Sequence, residues 1–106
     1  MRYVVMPLFE DEFYSYSISL ENQSYIVKIY YNRREERWYM DIYYPDEVAV
    51  VLGVALVQEY PLLVNYNIEG MNGFFWLEEN PDIGTNKIDQ YPRHLHKYYR
   101  FFYIHP

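Results

Sequence analysis

Apolar and polar positions alternate most regularly between Gln23 and Tyr44. Tyr25, Val27, Ile29 and Tyr31 recur at every second position, and so do Trp38, Met40, Ile42 and Tyr44. A period of two puts such residues on one face of an extended strand, so each arm offers one apolar stripe to a core. The opposite face carries Lys28 and Asp41 among tyrosines, which suits a surface that is wet or touches another protein. Between the arms, Asn32-Arg33-Arg34-Glu35-Glu36-Arg37 is too polar to bury and reads as the turn of an antiparallel hairpin.

The same period continues on both sides. Tyr14, Tyr16, Ile18 and Leu20 alternate with Ser15, Ser17 and Ser19, and Glu21-Asn22 is a tight turn into the central hairpin. Met1 to Phe9 is apolar but contains Pro7, so it is either a short first strand broken there or part of an N-terminal arm (1–12) packed on a neighbour. Tyr44-Pro45-Asp46-Glu47 is a turn with proline at its second position. Val48 to Val57 is valine-rich, short and interrupted by Gly53, which favours strand over helix. Its continuous apolar character predicts burial on both faces, or a bulge at Gly53 that bends the chain. Pro61 to Tyr66, Phe74 to Leu77 and Lys97 to Ile104 read as further short strands. Glu78 to Arg93 has no apolar period and is punctuated by Asn80-Pro81, Gly84 and Tyr91-Pro92, so a long loop over about 78–96 precedes the last strand.

These elements predict one all-β domain over 1–106, a small antiparallel β-barrel or β-sandwich of about seven short strands. The expected core is Tyr25, Val27, Ile29, Trp38, Met40, Ile42, Leu56, Phe74 and Trp76.

Composition sharpens the picture at one point. Aromatic residues make up 22% of the 106-residue chain, 15 of them tyrosines. A domain of this size buries roughly 60–70% of the surface its unfolded chain exposes, so it cannot hide that many rings. The surplus faces solvent or partners, and tyrosine is enriched at protein interfaces. Candidate contact residues are Tyr3, Val5, Leu8 and Phe9 in the first segment and Tyr30, Tyr39 and Tyr43 on the outer hairpin face. Asp82, Tyr91 and Arg93 join them from the long loop.

Charge and residue types exclude several functions. The net charge of −6 opposes a phosphate-binding surface, which needs clustered Lys and Arg. With no cysteine there is neither a disulfide framework nor a thiolate metal site. No 18-residue apolar run is present for a membrane span, and no signal peptide is expected. His94 and His96 share one strand face but lack further ligands, and exposed loop histidines are the commoner outcome. Glu78, Glu79 and Asp82 lack the calcium-loop pattern and read as a solvated acidic loop. No serine sits in an elbow sequence, no carboxylate pair stands out and the glycines are scattered, so neither an enzyme nor a cofactor is expected. A carbohydrate-binding or receptor-binding accessory module with exposed aromatics is a remaining alternative.

Three segments carry a resemblance. Leu20-Glu21-Asn22-Gln23-Ser24-Tyr25, Lys28-Ile29-Tyr30-Tyr31-Asn32 and Trp38-Tyr39-Met40-Asp41-Ile42 resemble a family of small tailed-phage proteins typified by the plug protein of a cyanophage baseplate. Val48 to Val57, Leu62-Leu63, Gly73-Phe74-Phe75-Trp76 and Tyr99-Arg100-Phe101-Phe102-Tyr103 continue the likeness as patterns of residue type. The charged Arg33 to Arg37 turn and the Glu78 to Arg93 loop depart from it. The resemblance implies a virion component of the tail baseplate or hub, assembled in the bacterial host cytoplasm. It implies a homo-oligomeric ring or plug in contact with tail tube, hub, spike or tape-measure proteins, with DNA only as passing cargo. It brings no catalytic residues. An acidic chain also suits a lumen through which DNA slides, with Glu78, Glu79 or Asp82 facing the channel.

Overall fold

The computed structural model describes residues 1–64, 68–80 and 95–106. In chain order its elements are β1 (Arg2–Met6), β2 (Phe13–Leu20), β3 (Gln23–Asn32), β4 (Arg37–Tyr43), β5 (Ala49–Ala55), β6 (Phe74–Glu79), a single helical turn α1 (Leu95–Tyr98), and β7 (Tyr99–His105). They form two antiparallel sheets, β1-β7-β6 and β2-β3-β4-β5, which pack as a sandwich and do not close into a barrel.

The turns explain the register. Leu20 pairs with Gln23, and the two residues between them, Glu21 and Asn22, have φ of 50° and 69°. Left-handed residues at both positions are what a two-residue hairpin needs to follow the right-handed twist of its strands. At the next turn the Asn32 side-chain oxygen accepts the backbone N–H groups of Arg34 (3.0 Å) and Glu35 (3.1 Å), and the chain reverses into Arg37 opposite Asn32. Arg33 adds a two-pronged ion pair to Glu12, at 2.9 and 2.5 Å, which ties this turn to the β1–β2 connection.

Alternation then decides the core. Tyr25, Val27, Ile29, Met40 and Ile42 are fully buried, and Trp38 is nearly so. They face Met6, Phe75, Leu77, Phe101 and Tyr103 of the other sheet in a single apolar cluster, with Leu56 at its margin. Phe75 lies 5.7 Å from the Phe101 ring and 5.0 Å from the Tyr103 ring, which gives this cluster an aromatic centre.

Several expectations need correction. Phe74 and Trp76 are half-buried and point away from the core, and Phe75 and Leu77 take the inner positions instead. The run Phe74-Phe75-Trp76-Leu77 has no polar residue to set its phase, but Glu78, which lies on the outward phase with Phe74 and Trp76, does. Val48 to Val57 is not covered on both faces: β5 is an edge strand with Leu52 and Gly53 exposed. The pairing of β4 with β5 slips between Met40 and Ile42 and again before Tyr43, and Gly53 adopts φ 69° in the first of these bulges. The bend expected at Gly53 is therefore present.

Pro61 to Tyr66 is not a strand over its described part. Leu62 makes an isolated bridge to Phe75, and Leu63 is left-handed at φ 66°. Together with hydrogen bonds from Glu59 N to Leu77 O (2.8 Å) and Leu62 N to Phe75 O (2.9 Å), this segment laces the free edge of β6. The last strand starts at Tyr99, because Leu95 to Tyr98 form α1 with Leu95 buried in the core. Asp82, Tyr91, Arg93 and His94, with most of the expected long loop, lie outside the described residues.

Candidate functional site

Among the described residues no cleft with convergent reactive groups stands out, and the candidate surfaces are the two outward sheet faces. Among the described residues no group of three or more His, Asp or Glu side chains is placed to hold a metal ion.

On the outer face of β2-β3-β4-β5, strand register places Phe13, Tyr30, Tyr39 and Ala55 in one row. The Phe13 and Tyr30 rings are 6.3 Å apart, and Tyr30 and Tyr39 stack at 5.9 Å with 23° between their planes. Tyr30 is thus flanked by a ring on either side. Its hydroxyl donates to Asp41 Oδ1 at 3.0 Å, and burial followed by this bond pushes it up to about 12. Asp41 Oδ1 also accepts the Gly53 N–H at 2.7 Å, so the bulge in β5 aims a backbone donor at the same carboxylate. Tyr39 donates to Glu35 Oε1 at 2.6 Å, and Lys28 Nζ lies 4.5 Å from the centre of the Tyr43 ring. The expected contact residues Tyr30, Tyr39 and Tyr43 are therefore brought together, half-buried, as a tethered set of rings.

The outer face of β1-β7-β6 differs. Register aligns Tyr3, Ile104 and Phe74 in one row and Val5, Phe102 and Trp76 in the next. An outward face of a sandwich is ordinarily polar, yet here six apolar side chains are contiguous. Tyr3 packs edge-on against Phe102 at 5.5 Å, and Phe74 against Trp76 at 6.4 Å. Tyr3 and Val5 remain 67% and 60% exposed, so they contribute little to the protein's own core. The face ends at the ion pair between Arg100 and Glu78, with Arg100 above the Phe102 ring. A groove of about 680 Å³ runs here, its described lining including Tyr3, Val5, Leu8, Phe102, Arg100 and Glu78. Leu8 packs on the core, and Phe9 covers the Tyr14 ring at 5.2 Å while staying half exposed. Of the acidic residues expected to face a lumen, Glu78 is paired with Arg100.

Phe74, Trp76, Phe102 and Ile104 are outward-facing residues that the sequence reading did not place on this face. Arg100 and Glu78 were the available signal. Each is a charge within an aromatic run, and each marks the outward phase of its strand.

One further cluster fastens an end of the sandwich. Glu21 accepts a hydrogen bond from the Tyr103 hydroxyl, the Asn72 N–H at 2.7 Å and the Asn72 side-chain amide at 3.2 Å. The Tyr103 hydroxyl in turn accepts the Gly73 N–H at 3.0 Å. Desolvation by itself raises the Glu21 pKa, but the hydrogen bonds from Tyr103 and Asn72 outweigh it and hold the carboxyl below the usual range. A depressed carboxylate stabilises the fold above the unfolded-state value and loses that contribution as pH falls through the folded one. Acid titration of the fold followed by circular dichroism is expected to show this loss as pH falls through and below the ordinary carboxylate range, and Glu21→Gln to flatten that part of the curve. An unchanged slope in the variant rules the linkage out.

A family model described as cyanophage baseplate Pam3 plug gp18 matches residues 2–104, from the start of β1 into β7. The chain belongs to this family. The Pam3 plug gp18 family is one of phage baseplate structural proteins, and the chain is accordingly a structural component of the tail baseplate. No curated protein matches the chain at a significant level.

Proposed function

We propose that this protein forms a ring or plug of several copies at the tip of a phage tail, joining the tail tube to hub or spike proteins. Family membership over residues 2–104 carries the reading. Two physical features support it. The outer faces present more aromatic surface than a lone sandwich needs, and the tyrosine rings are held in place by Asp41 and Glu35, so little side-chain entropy is lost when a partner covers them. Assembly in the host cytoplasm is consistent with a chain that contains no cysteine.

The carbohydrate-binding alternative has less support. Sugar stacking uses an open ring face, and Tyr30 stacks on Tyr39 with Phe13 beside it.

The test is composition and assembly of purified particles. Mass spectrometry and cryo-electron microscopy are expected to find the chain at fixed copy number in the baseplate. Tails that are complete without it overturn the proposal. The double substitution Tyr39→Lys with Tyr43→Lys is expected to leave stability within about 1 kcal/mol of the wild type, since both side chains lie outside the core. It is also expected to reduce incorporation into particles at least tenfold, read as copies per tail. Wild-type incorporation of this variant excludes the tyrosine face as a contact.

A further inference from the structure

A β-sandwich has four sheet edges, and each needs protection against adding a foreign strand. Two are protected here: the edge of β6 is laced by residues 58–62, and β5 is twice bulged with Gly53 turned to Asp41. The β2 edge carries no charge within the strand, but Ser15, Ser17 and Ser19 leave it without an apolar outer row. The fourth edge, β1, is both unprotected and apolar. Among the described residues β1 pairs only with β7, and its interior Tyr3-Val4-Val5 has no charge, proline or bulge. Pro7 follows the strand and does not interrupt it.

We propose that β1 is the contact for a second copy of this chain, pairing antiparallel with its own counterpart about a twofold axis at Val4. The inference rests on the assembly reading above and names one of its partners. The strand is self-complementary in this register: Val4 lies opposite Val4 of the second copy, Tyr3 opposite Val5, and Arg2 opposite Met6. Parity keeps Tyr3 and Val5 on the outer face, where an aromatic ring beside a β-branched side chain is a favourable cross-strand pair. No charge is set against a like charge. The two Arg2 side chains are about 14 Å apart at strand rise, beyond the screening length. Arg2 falls opposite Met6 of the second copy, at the end of β1 that leads into Glu10 and Asp11, so the register sets a positive charge near the acidic connection of its neighbour.

The product is one six-stranded sheet, β6-β7-β1 continued by β1-β7-β6 of the second copy. It covers Tyr3 and Val5 and leaves the Tyr30-Tyr39-Tyr43 face of each copy open to a further neighbour. The strand pair and its flanking side chains bury on the order of 400 Å² per copy, about half the area typical of a stable interface. The isolated pair is therefore a weak dimer, one that assembly of several copies reinforces.

The absence of native cysteine gives a direct test. A Val4→Cys variant, oxidised mildly, is expected to form a disulfide-linked dimer, because Val4 lies opposite its own counterpart at the twofold axis and Cβ atoms of a close cross-strand pair approach to about 4.5 Å, within reach of disulfide geometry after a small adjustment. An Arg2→Cys variant is expected to remain unlinked. No link in the first, or equal linking in both, overturns the proposal. Sedimentation of the unmodified chain is expected to show a concentration-dependent dimer that Val5→Lys abolishes and Val48→Lys, at an exposed residue away from β1, leaves intact. Val5 is exposed in the single copy, so its lysine variant retains the fold. A wild type that stays monomeric up to about 0.5 mM overturns the pairing as well. Particles that contain the chain while β1 fails to pair leave the baseplate assignment standing, whereas particles without the chain defeat that assignment itself.

Discussion

Replacing Phe75 by alanine is expected to destabilise the protein by about 3–5 kcal/mol. Phe75 is fully buried, stacks on Phe101 and Tyr103, and exchanges two backbone hydrogen bonds with Leu62 at 2.9 and 3.0 Å. It therefore stands where the β6 strand, the β7 strand and the lacing segment meet. Truncation of a buried phenylalanine removes its transfer energy and leaves a cavity, together about 3–5 kcal/mol. The aromatic neighbours are themselves held by register pairs, Phe101 opposite Leu77 and Tyr103 opposite Phe75, so the site has little room to collapse. A domain of this length has a total stability of roughly 5–15 kcal/mol, so the loss removes a fifth of it at the least. Urea denaturation followed by tryptophan fluorescence is the measurement. The adjacent Trp76→Ala is the informative partner, since its half-buried ring lies on the outer face and its loss is expected to destabilise by about 1 kcal/mol. If Trp76→Ala costs as much as Phe75→Ala, the inward assignment of β6 is wrong.

That contrast shows how far the sequence could be read. Strands β2, β3 and β4 were legible because polar residues interrupt them at every second position: Ser15, Ser17 and Ser19, then Lys28, then Asp41. Each interruption sets a phase, and the inward residues Tyr25, Val27, Ile29, Met40 and Ile42 follow from it. The Phe74 to Leu77 run offers no interruption of its own, and only the flanking Glu78 distinguishes its faces. The helical turn α1 was hidden in Lys97-Tyr98-Tyr99, where aromatic content argues for strand and burial of Leu95 from outside the run decides otherwise. Residues 58–62 were not legible either, since their hydrogen bonds go to Leu77 and Phe75 and depend on tertiary contact. The surplus of tyrosines pointed correctly to an outward aromatic surface. Its division into a tethered tyrosine row on one sheet and a bare apolar face on the other needed the strand register.

The two faces also differ in what they ask of a partner. Tyr30 and Tyr39 have spent their hydroxyls on Asp41 and Glu35, so a protein covering them need not supply hydrogen bonds to those groups. Tyr3 and Val5 gain only from burial, and their strand additionally offers an unpaired backbone edge.

Gly73→Ala is expected to cost about 2–4 kcal/mol, more than a single methyl group ordinarily does at an element terminus. A Cβ at this position would lie 2.1 Å from the carbonyl oxygen of Ile104 and 2.9 Å from His105 Cβ, so the obstacle is largely the backbone of β7. A flexible side chain could swing away, but a paired strand has to move as a unit. Displacing it also pulls the Gly73 N–H from the Tyr103 hydroxyl, and with it the bond from Tyr103 to Glu21 that joins β7 to the β2–β3 turn. Gly70 provides the control. Its Cβ would meet only the Tyr25 hydroxyl at 3.7 Å, so Gly70→Ala suffers solely from the left-handed φ of 84° and is expected to cost about 1 kcal/mol. Thermal unfolding of the two variants side by side separates crowding from backbone strain. If Gly73→Ala is no less stable than Gly70→Ala, the close approach of β7 to Gly73 is not a constraint on the fold.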